Sequence, residues 1–172
     1  MHPSADWRQF ISYNFPLMIQ RPELRDIELF RDLADAHLEK LAASARPWTL
    51  IRGDTVYRES DGAERLYAVL SGVVDIGRTG KDGRFVRLAR LERGEVFGVL
   101  DPAGPRLRGS FAVAAIAPET HLISWDPGDL QSLMSADPAF GLVLMRAVVG
   151  KLSGRLNSAS EAVYTLLQAM AR

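Results

Sequence analysis

Arg106 and Arg108 flank Leu107 just after Asp101-Pro102-Ala103-Gly104-Pro105, and this cluster is the part of the chain best suited to chemistry. A guanidinium presents a planar fork of donors that matches a phosphate or carboxylate. On an extended segment the alternation turns both arginines to one side, either into a pocket or out to solvent. Asp101 supplies an acceptor that either meets a ligand hydroxyl or caps the turn before Pro102. Ser110 stands beside them. Other chemistries find less support. The histidines, His2, His37 and His121, lie on a terminal arm, a helix and a late strand without His-x-His spacing, so a histidine-held metal is not expected. With no cysteine there is no thiol nucleophile, disulfide or thiolate-bound zinc. No Ser/His/Asp set, phosphate-binding glycine loop or facing carboxylate pair emerges, and the chain reads as a binder rather than an enzyme.

The elements that must hold this cluster follow from the apolar pattern. At 172 residues, 47% hydrophobic and 24% charged, the chain suits one globular domain with an appended helix. Short strand-like runs fill Trp48 to Asp126: Val56 and Tyr57, Leu66 to Leu70, Val73 to Ile76, Phe85 to Leu91, Phe111 to Ala115 and His121 to Trp125. Gly80-Lys81-Asp82-Gly83 reads as a hairpin connection, and Gly53, Gly72 and Gly94 as corners where a Cβ would clash. Before the strands, Leu29, Phe30, Leu33, Leu38 and Leu41 read as one apolar helical stripe, with Asp32 and Asp35 early and Lys40 late, where the helix dipole favours them.

The ordered set Arg52-Gly53-Asp54, Leu66-Tyr67-Ala68-Val69-Leu70-Ser71-Gly72 and Glu92-Arg93-Gly94-Glu95-Val96-Phe97-Gly98 resembles the cyclic nucleotide-binding domain family, the sensor module of catabolite activator proteins and of protein kinase A regulatory subunits. The resemblance runs from Leu29 to the C-terminus. It implies an α+β fold: a double-stranded β-helix, a jelly-roll-like β-roll, flanked by an N-terminal helix and a long C-terminal helix. The implied organisation is an arm over 1–28, the roll with its leading helix over 29–137, and a hinge and dimerisation helix over 138–172.

The resemblance also implies a ligand, cyclic AMP or cyclic GMP, rather than a cofactor. Its site would comprise Phe97, Gly98, Val99, Leu100, Asp101, Arg106, Arg108 and Ser110. In the family, Phe-Gly-Glu supplies a carboxylate to the ribose 2′-hydroxyl, and Arg-x-Ala-Ser/Thr-Val supplies the phosphate-neutralising arginine. Here the glutamate slot holds Val99 and the arginine slot, four before Val113, holds Gly109. A ribose hydroxyl buried against Val99 would lose about 1 to 3 kcal/mol of hydrogen bonding. Two prolines at the position of the family's short phosphate-binding helix remove amide donors. Two readings therefore stand: a sensor in which Asp101 and Arg106 or Arg108 replace the missing pair, or a module that binds another small ligand or none and serves protein interaction.

After Pro138 the pattern is helical. Leu142, Met145, Val149, Leu152, Leu156, Ala159, Val163, Leu166 and Met170 follow an unbroken heptad rhythm. Leu142 to Val149 is expected to pack on the chain's own roll. Val149, Leu152, Leu156, Ala159, Val163 and Leu166 are expected to pair with a second copy. Ser153, Ser160, Ala162 and Ala169 flank this seam, so packing rather than charge would hold it. Gly150 and Gly154 each cost the helix about 0.5 to 1 kcal/mol relative to alanine, which suits close packing, a break, or a hinge. Lys151 and Arg155 read as a solvated face.

Equal counts of Lys+Arg and Asp+Glu, 21 each, leave no overall basic field for nucleic acid or an anionic membrane. In the family's transcription factors a helix-turn-helix follows the long helix, and this sequence stops at Arg172, so direct nucleic-acid contact is not expected. Asp6, Trp7 and Arg8 precede any apolar run, and Asn14 and Pro16 interrupt the next one. Neither a leader nor a span is read there, and the cytoplasm is the expected location.

Overall fold

The structure, a computed structural model, describes residues 21–57, 65–98, 111–114 and 117–171. It opens with a short helix α1 (Arg21–Arg25), a 3-10 turn (Glu28–Phe30) and helix α2 (Asp35–Ser44). Eight strands follow among the described residues: β1 (Arg46–Ile51), β2 (Thr55–Tyr57), β3 (Leu66–Ser71), β4 (Val74–Thr79), β5 (Phe85–Leu91), β6 (Val96–Gly98), β7 (Phe111–Ala114) and β8 (Glu119–Trp125). Helices α3 (Pro127–Ala136) and α4 (Pro138–Met170) close the chain. The strands form two antiparallel sheets in the orders β1-β8-β3-β6 and β2-β7-β4-β5, the double-sheet roll expected from the strand spacing.

The first sheet is buried on both faces, and the period of two along its strands sorts the residues. On β3, Leu66, Ala68 and Leu70 join the core beneath the helices, whereas Tyr67 and Val69 join a second core inside the roll. On β8, Ile123 and Trp125 face the helices and Leu122 faces inward. This double burial explains why Leu66 to Leu70 reads as a continuous apolar run. Trp125 anchors the helix side: its indole N–H donates to the Leu41 carbonyl at 2.9 Å, and its ring meets Phe30 edge-on at 5.0 Å.

Several expectations change in detail. The stripe from Leu29 to Leu41 is divided, with Leu29 and Phe30 in the 3-10 turn, Leu33 in the bend that follows and Leu38 and Leu41 in α2, and the five-residue step from Leu33 to Leu38 is out of phase with a 3.6-residue helix. All five side chains are buried nonetheless. Helix α3 was hidden behind the last strand; Asp126 opens it by accepting from the Gly128 amide at 3.0 Å, with Pro127 at the first helical position. Helix α4 runs unbroken through Gly150 and Gly154, so neither glycine marks a break, and among the described residues nothing beyond the neighbouring helical backbone lies within 4 Å of where a Cβ would stand.

The face of α4 that packs on the body coincides with the heptad seam only at Met145. Phe140 and Leu144 are buried, with Val143, Met145, Ala147 and Val148 packed beside them, while Leu142 is 62% and Val149 61% exposed. Positions 142 and 144 lie about 200° apart around a helix, so one side meets the core and the other faces outward.

Candidate functional site

The sequence-predicted ligand site begins where β6 ends. Strand β6 pairs with β3 through Ala68↔Val96, Tyr67↔Phe97 and Leu66↔Gly98 and, among the described residues, lies at the edge of its sheet. The Phe97 ring is 3% exposed and stacks on Tyr67, with centroids 5.0 Å apart and planes 11° apart. Tyr57 lies 6.0 Å from Tyr67 and 6.3 Å from Phe97, and Trp48 meets Tyr67 at 5.8 Å. Trp48 is held in turn by its N–H donating to Ser124 Oγ at 2.8 Å. Four aromatic rings thus cluster inside the roll beside β6, and burial pushes the Tyr57 phenol up to about 12.

Gly98 sets how the chain leaves this stack. Its φ is +103°, and a Cβ there would lie 2.0 Å from the Arg65 carbonyl oxygen, so a side chain would force β6 off β3. The segment beyond it therefore departs from a fixed point. Val99, Leu100, Asp101, Arg106, Arg108 and Ser110 lie outside the described residues, as does Gly109. Of the predicted ligand-binding residues, the structure thus places Phe97, in the aromatic stack, and Gly98, at the exit.

The turn before β6 is tied to the rest of the molecule. Gly53, Gly72 and Gly94 all have positive φ, at 93°, 80° and 85°. At Gly94 a Cβ would meet the Asp26 carbonyl oxygen at 2.6 Å. The Gly94 amide donates to the Val69 carbonyl at 2.8 Å, the Val69 amide to the Glu95 carbonyl at 3.0 Å, and the Glu28 amide to the Gly94 carbonyl at 3.2 Å. The Glu95 carboxylate closes the turn by accepting from the Glu92 amide at 2.9 Å.

Helix α4 reaches the same place. Arg155 Nη2 donates to the Val96 carbonyl at 2.7 Å, and Lys151 Nζ forms an ion pair with Glu28 of the 3-10 turn. The hydrogen bond that Lys151 donates to Glu28, and then the Lys151 charge, hold the Glu28 carboxyl below its ordinary range. The expectation of a solvated Lys151/Arg155 face is therefore corrected: both reach the body. A signal for this was present in the sequence. Lys151 stands seven residues after buried Leu144, on the same helical face, and Arg155 lies four beyond it.

The other end of α4 is fixed by Asp137. Its Oδ1 accepts from the Phe140 amide at 3.1 Å as N-cap, and its Oδ2 accepts from His37 Nε2 of α2 at 3.0 Å, with Lys40 Nζ 3.7 Å away. The cap bond, opposed by burial and aided by His37, holds the Asp137 carboxyl low. His37 is thus a structural partner of a helix cap. Among the described residues no group of three His, Cys, Asp or Glu side chains is placed to hold a metal, and no helix is long and apolar enough to cross a membrane.

Val149, Leu152, Leu156, Ala159, Val163 and Leu166 all lie on α4 with their side chains exposed, joined by Tyr164, Leu167 and Met170. Beyond Lys151 every described helix residue is exposed.

Comparison with known proteins agrees with this architecture. Residues 48–137 match the family described as cyclic nucleotide-binding domain. A CRP-like cAMP-activated global transcriptional regulator of Mycobacterium tuberculosis is 28% identical over 140 residues, covering 80% of this chain and 60% of the relative. The crystal structure of the N-terminal domain of a transcriptional regulator from Streptomyces coelicolor A3(2) is similar with a TM-score of 0.65 and 34% identity, covering 80% of this chain and 94% of that one. The Thermus thermophilus catabolite activator protein has the same TM-score, 0.65, at 26% identity over 81% of this chain and 62% of its own. The chain thus spans 60% of the mycobacterial relative's length.

Proposed function

Because the chain belongs to the cyclic nucleotide-binding domain family, we propose that it is a dimeric sensor that takes a cyclic nucleotide at the exit of β6 and transmits the ligand state through α4 to a partner. The observation that carries this reading is the position of Phe97-Gly98: the pair that opens the family's ligand segment stands on a rigid aromatic stack with one backbone exit. Asp101 would accept the ribose hydroxyl, and Arg106 or Arg108 would neutralise the cyclic phosphate. The mycobacterial relative is a cAMP-activated regulator by name, which supports cyclic AMP as the first ligand to try and regulation rather than catalysis as the role.

A second copy is the proposed occupant of the exposed α4 seam. The seam keeps its heptad rhythm through Met170, its residues are apolar, and its neutral flanks Ser153, Ser160, Ala162 and Ala169 let an identical helix approach without charge repulsion. A cytoplasmic location accords with the absence of cysteine.

One observation favours a second reading. In the sequence Val99 takes the place of the family's glutamate, and the interior of the roll is already filled by Trp48, Tyr57, Tyr67 and Phe97. On that reading the roll takes an apolar ring or no ligand, and the dimer serves as an interaction module. Titration calorimetry with cyclic AMP and cyclic GMP separates the two, on the parent protein and on Arg106→Ala and Arg108→Ala. The sensor reading expects micromolar or tighter binding that one arginine variant loses; an absence of heat at high protein and ligand concentration overturns it in favour of the module.

A further inference from the structure

The described part of the molecule offers a strong physical link between the exit of β6 and the long helix. Edge strands carry backbone groups with no neighbouring strand to pair with. Among the described residues strand β6 is such an edge, paired with β3 on one side, and the Val96 carbonyl accepts from the Arg155 guanidinium at 2.7 Å. Val96 is the residue before Phe97-Gly98, so the bond lands at the root of the proposed site. The strand cannot shift there without loading the helix.

The position along α4 matters equally. The apolar side that buries Phe140 and Leu144 ends with Val148, and Lys151 and Arg155 continue it with charge. Lys151 reaches Glu28, whose own amide donates to the Gly94 carbonyl two residues before Val96. Helix, 3-10 turn and β6 therefore close a ring of polar contacts, and Arg155 is the link in it that touches the strand itself. From residue 152 onward the helix is otherwise exposed. Gly150 and Gly154, each just before one of the two cations, lower the local helix propensity beside both ties.

We infer that Arg155 is a positioning residue, a latch on the Val96 carbonyl that makes the orientation of the outer half of α4 follow the position of β6. The inference rests on the sensor reading for its purpose, since the latch would convey ligand state, but the mechanical tie can be tested without ligand. A free helix end would report nothing of the roll. A helix tied only through Leu144 would report the helix-side core instead.

Hydrogen–deuterium exchange on the full chain, read in peptides from 92–98 and 152–160, tests the latch on three proteins: the parent, Arg155→Ala and Arg155→Lys. Without ligand, Arg155→Ala is expected to speed exchange about tenfold in both segments, while core amides of β3 and β8 stay as in the parent. The lysine variant, with one donor able to reach the carbonyl, is expected to recover part of the protection. On adding cyclic AMP, the parent changes its exchange at 152–160; Arg155→Ala binds the nucleotide in calorimetry and leaves 152–160 unchanged. Parental exchange at 92–98 and 152–160 in Arg155→Ala overturns the inference, as does a parental nucleotide response. If the parent itself gives no cyclic AMP heat, the sensor reading fails, and the ligand-free comparison alone decides the latch.

Discussion

Two faces of one helix carry nearly the same kind of side chain and meet opposite fates. On one face of α4, Phe140 and Leu144 are buried in the helix-side core and Lys151 and Arg155 end the stripe by gripping Glu28 and β6. On the other, Leu142, Val149, Leu152, Leu156, Val163 and Leu166 are exposed along the whole length. Apolarity alone does not say what a face packs against. The inner face is short and closed by cations that find partners within the chain. The outer face is long, apolar and periodic, and the proposed pairing with a second copy rests on that pattern.

Substitutions on each face test that contrast. Leu144 is fully buried, and Leu144→Ala is expected to destabilise the fold by about 2 to 5 kcal/mol in chemical denaturation; a loss within experimental error would mean that the inner face is not part of the core. Leu156 is 68% exposed, and Leu156→Asp is expected to weaken self-association at least tenfold in sedimentation equilibrium, about 1.4 kcal/mol or more, while leaving the roll folded. A monomeric parent, or a variant that associates as the parent does, would remove the second copy as the occupant of the seam.

Asp137 tests the start of the inner face through pH. Its carboxyl titrates below the ordinary aspartate range, chiefly because the Phe140 amide donates to it, so the ionised form favours the folded state. That contribution is present above the unfolded value of about 3.9 and is lost as pH falls through the lower folded value. Denaturation between about pH 7 and about pH 3 should show Asp137→Asn with a flatter acid limb than the parent; identical limbs would exclude this carboxylate from acid unfolding. The smallest effect is expected on the outer face near the body. Leu142→Ala, at a position 62% exposed, should change unfolding stability by no more than about 0.5 kcal/mol at concentrations where the chain is monomeric, and a larger loss would show that the two faces are not distinct.

Much of the scaffold was legible because its signals are local. Phe85 to Leu91 is read to the residue, and the Gly80-Lys81-Asp82-Gly83 connection closes as a hairpin, with the Gly80 amide donating to the Arg84 carbonyl at 2.8 Å and Gly83 at a φ of +78°. The corner glycines were legible for the same reason: a left-handed backbone excludes most side chains wherever it occurs. The candidate site was legible only in part. Phe97-Gly98 is a recognisable pair, but that Phe97 would stack on Tyr67 beside Tyr57, with Trp48 against Tyr67 in turn, depends on strands far apart in sequence. The short strand β6 and helix α3 escaped because three residues and a proline-led ten are too brief to show a period.

Sequence alone determined the alternation of the strands, the positive-φ corners and the apolar rhythm of the last helix, because each is dictated by a residue and its near neighbours. Tertiary structure decided which side of that helix would be buried, and it turned two apparently solvated cations into ties. Lys151 to Glu28 spans 123 residues, Arg155 to Val96 spans 59, and His37 to Asp137 spans 100. No local period encodes such pairs. They form because packing Leu144 and Trp125 into one core brings their neighbours within reach, and a partly buried charge then takes the acceptor that lies there.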